Sequence, residues 1–295
     1  MKMNLFADIH GVTLDALNAM VAAGELPAGL DLNNVTVEPP RDAAHGDMAT
    51  LGAFIALGAN FSTVVTAGTG LDAGVSRALG GVVFALGLIL VVVGGAELFT
   101  GNTLIVMAYA SRRVTATALL RNWLIVYVSN FVGAAATAML VVASGRLSAG
   151  DGAVGLRALR IAETKGAVGF GEAIASGVLA NCLVCLAVWM TLSAHTLVDK
   201  VVVIVPPVAA FVAAGFEHSV ANMYFFPVAL FQRAWAPDRF WAATDTPTSG
   251  FPHVSWQHFL VSNLLPVTIG NIVGGAVLVG LVYWFVYLRP ADQAG

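Results

Sequence analysis

The chain has 295 residues, 14 of them Lys or Arg and 17 Asp or Glu, with a formal net charge of −3. Hydrophobic residues make up 58% and charged ones only 11%, against about 25% charged in a soluble domain. A fold of this composition in water would expose a large apolar surface, so the composition points to the bilayer and argues against a basic nucleic-acid footprint.

Residues 1–50 differ from the rest. They hold Asp8, His10, Asp15, Glu25, Asp31, Glu38, Asp42, His45 and Asp47, with the Pro39–Pro40 pair. Leu5, Leu14, Leu17 and Met20/Val21 fall at roughly helical spacing and predict a short amphipathic helix. The stretch 27–47 reads as extended or loop. No apolar core of signal-peptide length occurs in residues 1–30.

From Leu51 the character changes. Six apolar segments follow, at about 51–68, 78–110, 118–143, 170–194, 200–231 and 258–288. A transmembrane helix needs roughly 20 residues. The second segment is interrupted by Glu97-Leu-Phe-Thr-Gly-Asn-Thr103, the fifth by Gly215-Phe-Glu-His-Ser-Val-Ala-Asn222. These two hold matching places in two halves of three segments. An odd number of spans per half puts the halves in opposite orientation, and interrupted segments at matching places are the mark of an inverted repeat. The alternative is that Gly and polar residues serve helix packing alone. Glu, His and two Asn at membrane depth exceed what packing needs. Orientation is not fixed by charge: Arg112, Arg113 and Arg121 favour a cytoplasmic second loop, while Arg146, Arg157, Arg160 and Lys165 in the third loop oppose it.

Unpaired backbone groups cannot face lipid, so a broken helix must line a cavity enclosed by protein. The N-terminal end of a half-helix presents free N–H groups and partial positive charge, which suits an anion. Thr100 and Asn102 add donors at one break; His218, Ser219 and Asn222 add them at the other. A cationic His218 attracts an anion, and it can also protonate a weak-acid anion so that the neutral acid crosses the dry part. Glu217 is read as a structural acceptor for backbone donors, since a pore carboxylate would repel the anion. Asn181 and Asn271 are candidate lining groups, with helix packing the other reading for Asn271. Lys165, at the mouth of the fourth segment, is a candidate anion gatherer, or an ordinary loop lysine. Cys182 and Cys185 match a C-x-x-C spelling without a second ligand pair, so neither a metal site nor a disulfide framework is expected. Gly274 and Gly275 fit close helix approach, and Trp123, Trp189 and Trp284 fit interfacial or packing roles.

These residues resemble the formate/nitrite transporter family, most closely its formate channel branch. The matching stretches are Gly94-Gly-Ala-Glu-Leu-Phe-Thr-Gly-Asn102, Arg121-Asn-Trp123, Ala180-Asn-Cys-Leu-Val-Cys-Leu-Ala-Val-Trp189, Gly215-Phe-Glu-His-Ser-Val-Ala-Asn-Met223 and Pro266-Val-Thr-Ile-Gly-Asn-Ile-Val-Gly-Gly275. The resemblance runs from about Ala53 to Arg289. It implies an all-α membrane protein of six transmembrane helices, aquaporin-like, with two inverted three-helix repeats and broken helices two and five. It implies a homopentamer in a bacterial inner membrane, with both termini cytoplasmic and one path per protomer for formate or a similar small monovalent anion. The family's paired threonine and histidine fall on Thr100 and His218, its constrictions on Phe84, Leu88, Leu98, Phe99, Val184 and Phe211, its anion-gathering lysine on Lys165 and its pore asparagines on Asn181 and Asn271. Glu217 and Asn222 keep a structural place at the broken helix. No enzyme activity, cofactor, metal or nucleic-acid partner is implied; nitrite and hydrosulfide are alternative cargoes.

The family's usual first span is longer than the apolar run from Leu51 to Ala67. Residues 3–50 instead resemble the N-terminus of a bacterial arginyl-tRNA synthetase, through Met3-Asn-Leu-Phe-Ala-Asp-Ile9, Leu26-Pro-Ala-Gly-Leu30 and Val37-Glu-Pro-Pro-Arg-Asp42, leading into His45-Gly-Asp-Met-Ala-Thr50. No His-x-Gly-His nucleotide signature accompanies them. The expected organisation is therefore a cytoplasmic leader (1–50), a channel domain (51–289) and a short tail (290–295), with a composite chain joined near Thr50/Leu51. A membrane-tethered tRNA-related protein is the reading from another functional class.

Overall fold

The computed structural model describes residues 50–289, with side chains from Gly52 onward. The amphipathic helix expected near residues 5–21, the extended stretch 27–47, the synthetase-like leader and the tail 290–295 lie outside the described residues. Within them every regular element is helical. Helix α1 covers Thr50–Val65, α2 Ala73–Val93, α3 Phe99–Asn102, α4 Val106–Ala110 and α5 Ala116–Ala143. Helix α6 follows at Ala153–Gly166, α7 at Phe170–Thr191, α8 at Leu197–Ala214, α9 at Ser219–Trp235, α10 at Asp238–Thr244 and α11 at His258–Leu288.

The starts are set by short polar side chains. Asp72 accepts from the Gly74 N–H at 2.8 Å and lets α2 begin five residues before the apolar run does. Thr115 accepts from the Ala118 N–H at 3.1 Å at the head of α5. Thr196 and Asp199 form a reciprocal capping box at the head of α8. Each such cap satisfies backbone donors that the first turn leaves without a partner.

Five helices, α2, α5, α7, α8 and α11, are long and apolar enough to cross a membrane. Helix α1 has 16 residues, about 24 Å at 1.5 Å per residue, short of a hydrocarbon core of roughly 30 Å. The surface inverts the soluble pattern. Leu124, Leu140, Val198 and Phe285 are exposed, while Thr100, Asn130, Asn181, Ser219, Asn222, Asn263 and Asn271 are fully buried. Apolar outside and polar inside is the distribution that lipid selects.

Helix packing relates the two parts of the chain. Helix α1 packs on α2 and α5; α7 packs on α8 and α11; α2 and α8 pack on each other. The half-helix α9 lies against α5, and the turn 103–105 with α4 lies against α11. Each half-helix is therefore held by the last long helix of the other part. Close approach is needed at Gly275, where a Cβ would overlap Thr103 Oγ1 and Asn181 Nδ2. That supports the packing role expected of the Gly274–Gly275 pair.

One long loop departs from the sequence reading. The third connection contains α6, an amphipathic helix that buries Val154, Ala158, Leu159 and Ala162 and packs on α9. Its apolar residues recur at helical spacing, but its three basic residues, Arg157, Arg160 and Lys165, with Arg146 before them in the same connection, make it read as a solvated loop.

Candidate functional site

The second and fifth apolar segments are both broken, and the breaks are built alike. Helix α2 stops at Val93, and Gly95 takes a positive φ of 70° that L residues with a Cβ adopt at a cost. The chain runs through Glu97 to an extended Leu98 and restarts as α3. Helix α8 stops at Ala214, Gly215 takes φ +76°, and the chain runs through Glu217 to an extended His218 and restarts as α9.

The free backbone groups at both breaks go to asparagines. At the first, the Phe99 N–H donates to Asn130 Oδ1 at 2.9 Å and Asn130 Nδ2 donates to the Glu97 carbonyl at 3.3 Å. At the second, the Ser219 N–H donates to Asn271 Oδ1 at 2.9 Å and Asn271 Nδ2 donates to the Glu217 carbonyl at 3.1 Å. The glutamates repeat the match. Glu97 Oε2 accepts from Asn102 and Asn122 at 3.2 Å each. Glu217 Oε2 accepts from Asn222 at 2.7 Å and Asn263 at 3.3 Å. Buried polar groups left unpaired cost about 1–3 kcal/mol each, so these networks are what make the breaks stable at membrane depth.

Glu217 is thus an acceptor, as expected, but for side chains instead of backbone donors. Its Oε1 takes the Lys165 ammonium at 2.9 Å, with both side chains largely buried. Lys165 is no solvated loop lysine: α6 delivers it over the Phe225 ring, 5.5 Å from the centroid. The Glu217 N–H donates to Ser176 Oγ at 2.9 Å.

Thr100 and His218, 118 positions apart, meet at 3.0 Å between Oγ1 and Nε2. His218 Nδ1 accepts from the Ala221 N–H at 3.0 Å and so caps α9. A nitrogen that accepts carries no proton, so the neutral ring has its hydrogen on Nε2 and donates it to Thr100. The Thr100 hydroxyl keeps its own proton for another acceptor. Its carbonyl takes Thr103 Oγ1 at 2.6 Å and Asn181 Nδ2 at 3.1 Å, which ties α3 to α7.

The expected constriction residues Phe84, Leu88, Leu98, Phe99, Val184 and Phe211 are all buried in one apolar cluster. Phe84 and Phe211 meet edge to face at 5.7 Å, and Phe211 stacks on the His218 ring at 5.7 Å. These two, with Lys165, Glu217 and His218, line a cavity of about 750 Å3 that opens beside α6. Thr100, Leu88, Leu98, Phe99, Val184, Asn181 and Asn271 do not line it. Asn181 and Asn271 spend their amides on backbone and on Thr103: Asn181 Nδ2 donates to the Asn271 carbonyl at 2.7 Å, and Asn271 Nδ2 to the Gly177 carbonyl at 2.8 Å. Asn181 Oδ1 and Ser219 Oγ are buried without a hydrogen-bond partner among the described residues.

Asn130, Asn263, Asn122 and Ser176 were not singled out from sequence. The signal was a doubled spacing: Asn122 and Asn130 are eight apart, as are Asn263 and Asn271, while Glu97–Asn102 and Glu217–Asn222 are each five apart.

Lipid-facing helices around a buried polar centre define a multi-pass α-helical membrane protein. The sequence profile of the formate/nitrite transporter family matches residues 43–285, and the chain belongs to that family. It is 47% identical over 245 residues to the formate channel FocA of Escherichia coli, covering 83% of this chain and 86% of that one. It is 42% identical over 231 residues to the formate channel FocA of Haemophilus influenzae, covering 78% and 81%. A solved pentameric formate channel with formate bound superposes with a TM-score of 0.78 at 44% identity, covering 82% of this chain and 95% of that one. The relatives are channels, and the chain is a member of a transporter family, not an enzyme. The family match starts at residue 43, within the segment read as a leader.

Proposed function

We propose that the protein conducts formate across a bacterial inner membrane, through one path in each protomer of a homopentamer, with Thr100 and His218 at its centre. The observation that carries this reading is the 3.0 Å contact between those side chains where the two broken helices restart, in a chain 47% identical to a formate channel. An anion enters beside Lys165, whose charge is shared with Glu217, and meets the Phe84–Phe211 pair. Aromatic walls strip water, and bare charge is then costly. The Thr100 O–H, oriented by the His218 Nε2–H that it accepts, is the donor that replaces lost water; Leu98, Phe99, Leu88 and Val184 form the apolar stretch that completes the constriction.

The tautomer sets the terms for proton linkage. A neutral imidazole donates a hydrogen bond but does not act as an acid at ordinary pH. His218 becomes cationic only when Nδ1 also takes a proton, and it then gives up the Ala221 N–H. Protonation, and with it pH dependence, therefore acts through the first turn of α9. Asn181 and Asn271 position the path by tying the half-helices to α7 and α11.

The matched asparagine and glutamate networks, and the packing of each half-helix on the other part's last helix, support two inverted three-helix repeats with α1 as a short sixth span. Cytoplasmic termini are the orientation that the family resemblance implies. Residues 1–50 we read as a separate cytoplasmic leader, 51–289 as the channel domain and 290–295 as a tail.

Radiolabelled formate uptake into proteoliposomes, comparing wild type with His218→Phe, tests the reading. Saturating uptake that the substitution abolishes or reshapes supports it. No uptake above empty liposomes by an intact pentamer rejects formate, and the same assay with nitrite and hydrosulfide then decides the cargo.

A further inference from the structure

The cavity beside Lys165 widens toward a basic rim that the path does not use. Arg77 projects from the first turns of α2, and Arg157 and Arg160 from one face of α6. All three line the 750 Å3 cavity, and all three also line an adjoining pocket of about 470 Å3 between α6 and the 66–73 connection. Arg157 is half-buried and is held in place: its Nε donates to Thr66 Oγ1 at 3.1 Å, and that hydroxyl donates to the Ser62 carbonyl at 2.8 Å. Arg77 and Arg160 are exposed.

None of the three has a carboxylate within 4.0 Å among the described residues. The two carboxylates on the cavity wall are engaged elsewhere. Glu163 accepts from the His253 N–H and meets its ring, and Glu217 takes Lys165, Asn222 and Asn263. Four cations therefore face two committed carboxylates. Burial, and then the fields of Arg77 and Arg160, push the Arg157 guanidinium below its ordinary value. Like charges gathered without a counter-charge repel, and an oxyanion relieves that repulsion while matching the planar fork of guanidinium donors.

We propose that Arg77, Arg157 and Arg160 form a second anion site, outside the Lys165–His218 path, that takes a carboxylate or a phosphate-type oxyanion. For a monovalent carboxylate it raises the local concentration at the mouth; a multivalent oxyanion binds there more firmly and blocks the approach. The delivery role rests on the transport reading above, but the site itself does not.

Two measurements on the full-length protein separate these. The first is calorimetric titration of inorganic phosphate into purified wild type and into Arg157→Gln/Arg160→Gln in detergent, each checked for intact oligomer by size exclusion. Saturable binding that the double variant loses, and that His218→Phe keeps, supports the site. No saturable binding to wild type, equal binding to the double variant, or loss of the oligomer in the double variant overturns it; the last assigns the cluster to a subunit contact. The second is formate uptake at low ionic strength. The double variant is expected to raise the half-saturating formate concentration roughly three- to tenfold with an unchanged maximal rate, and to abolish inhibition by external phosphate. An unchanged half-saturation with phosphate inhibition intact overturns the proposal. If wild type transports no formate, the transport reading fails and the calorimetry alone decides the site.

Discussion

Leu98 and His218 occupy the same place in the two breaks. Each is extended, each follows a glutamate, and each precedes a residue whose N–H goes to an asparagine of a long helix. They differ in chemistry. Leu98 offers no side-chain cap, whereas His218 accepts the Ala221 N–H and turns its other nitrogen to Thr100. The glutamates differ too. Glu97 is half-buried and takes only amide donors, while Glu217 is buried and also carries the Lys165 ammonium. One structural solution, an asparagine-braced break, thus serves twice. Only one copy holds a titratable group at the centre and a buried ion pair beside it. The brace is what a break requires at membrane depth; the histidine and the ion pair go beyond that requirement.

The glutamates give the largest expected contrast. Glu217→Ala leaves the Lys165 ammonium without its carboxylate and takes one acceptor from each of two buried amides, and should cost about 3–5 kcal/mol. Glu97→Ala takes an acceptor from amides only, and should cost about 1–3 kcal/mol. Thermal unfolding in detergent ranks them; equal losses would break the comparison. Asn130→Ala and Asn271→Ala test the shared part. At its break each strands one backbone N–H and one carbonyl, and Asn271 also gives up its bond to the Gly177 carbonyl, so each should cost about 2–3 kcal/mol, and the double variant should add to within about 0.5 kcal/mol if the two braces act independently. A double variant no less stable than either single one would mean that the braces are one network. The smallest stability effect belongs to His218. Replacing it with Asn keeps a good capping side chain and should change stability by less than about 0.5 kcal/mol, whereas His218→Leu, which copies the first break, should lose about 1 kcal/mol.

Much of this is legible in the sequence. Six apolar segments and two polar interruptions stand out because each charged or amide side chain at membrane depth is a strong departure from its surroundings. Thr100, His218 and Glu217 stand in those interruptions, Lys165 stands at the mouth of the fourth segment, and the constriction set is what the family resemblance implies. The braces were harder: Asn130 and Asn263 are single amides in long apolar helices and look like packing residues until the repeated spacing of eight is noticed. The ion pair across the fold was not legible at all. Lys165 and Glu217 are 52 positions apart, and only the docking of α6 on α9 brings them together. The tautomer of His218 likewise needed both of its partners in place.

The central claim is that the passing anion uses the one break that carries a histidine. The most direct test is saturable formate uptake by wild type and His218→Asn, each reconstituted as an intact oligomer at about pH 7. The account predicts a folded pentamer in both, saturable uptake in wild type, and uptake that is strongly reduced in His218→Asn. The same rates and the same half-saturating concentration in the two proteins would contradict it.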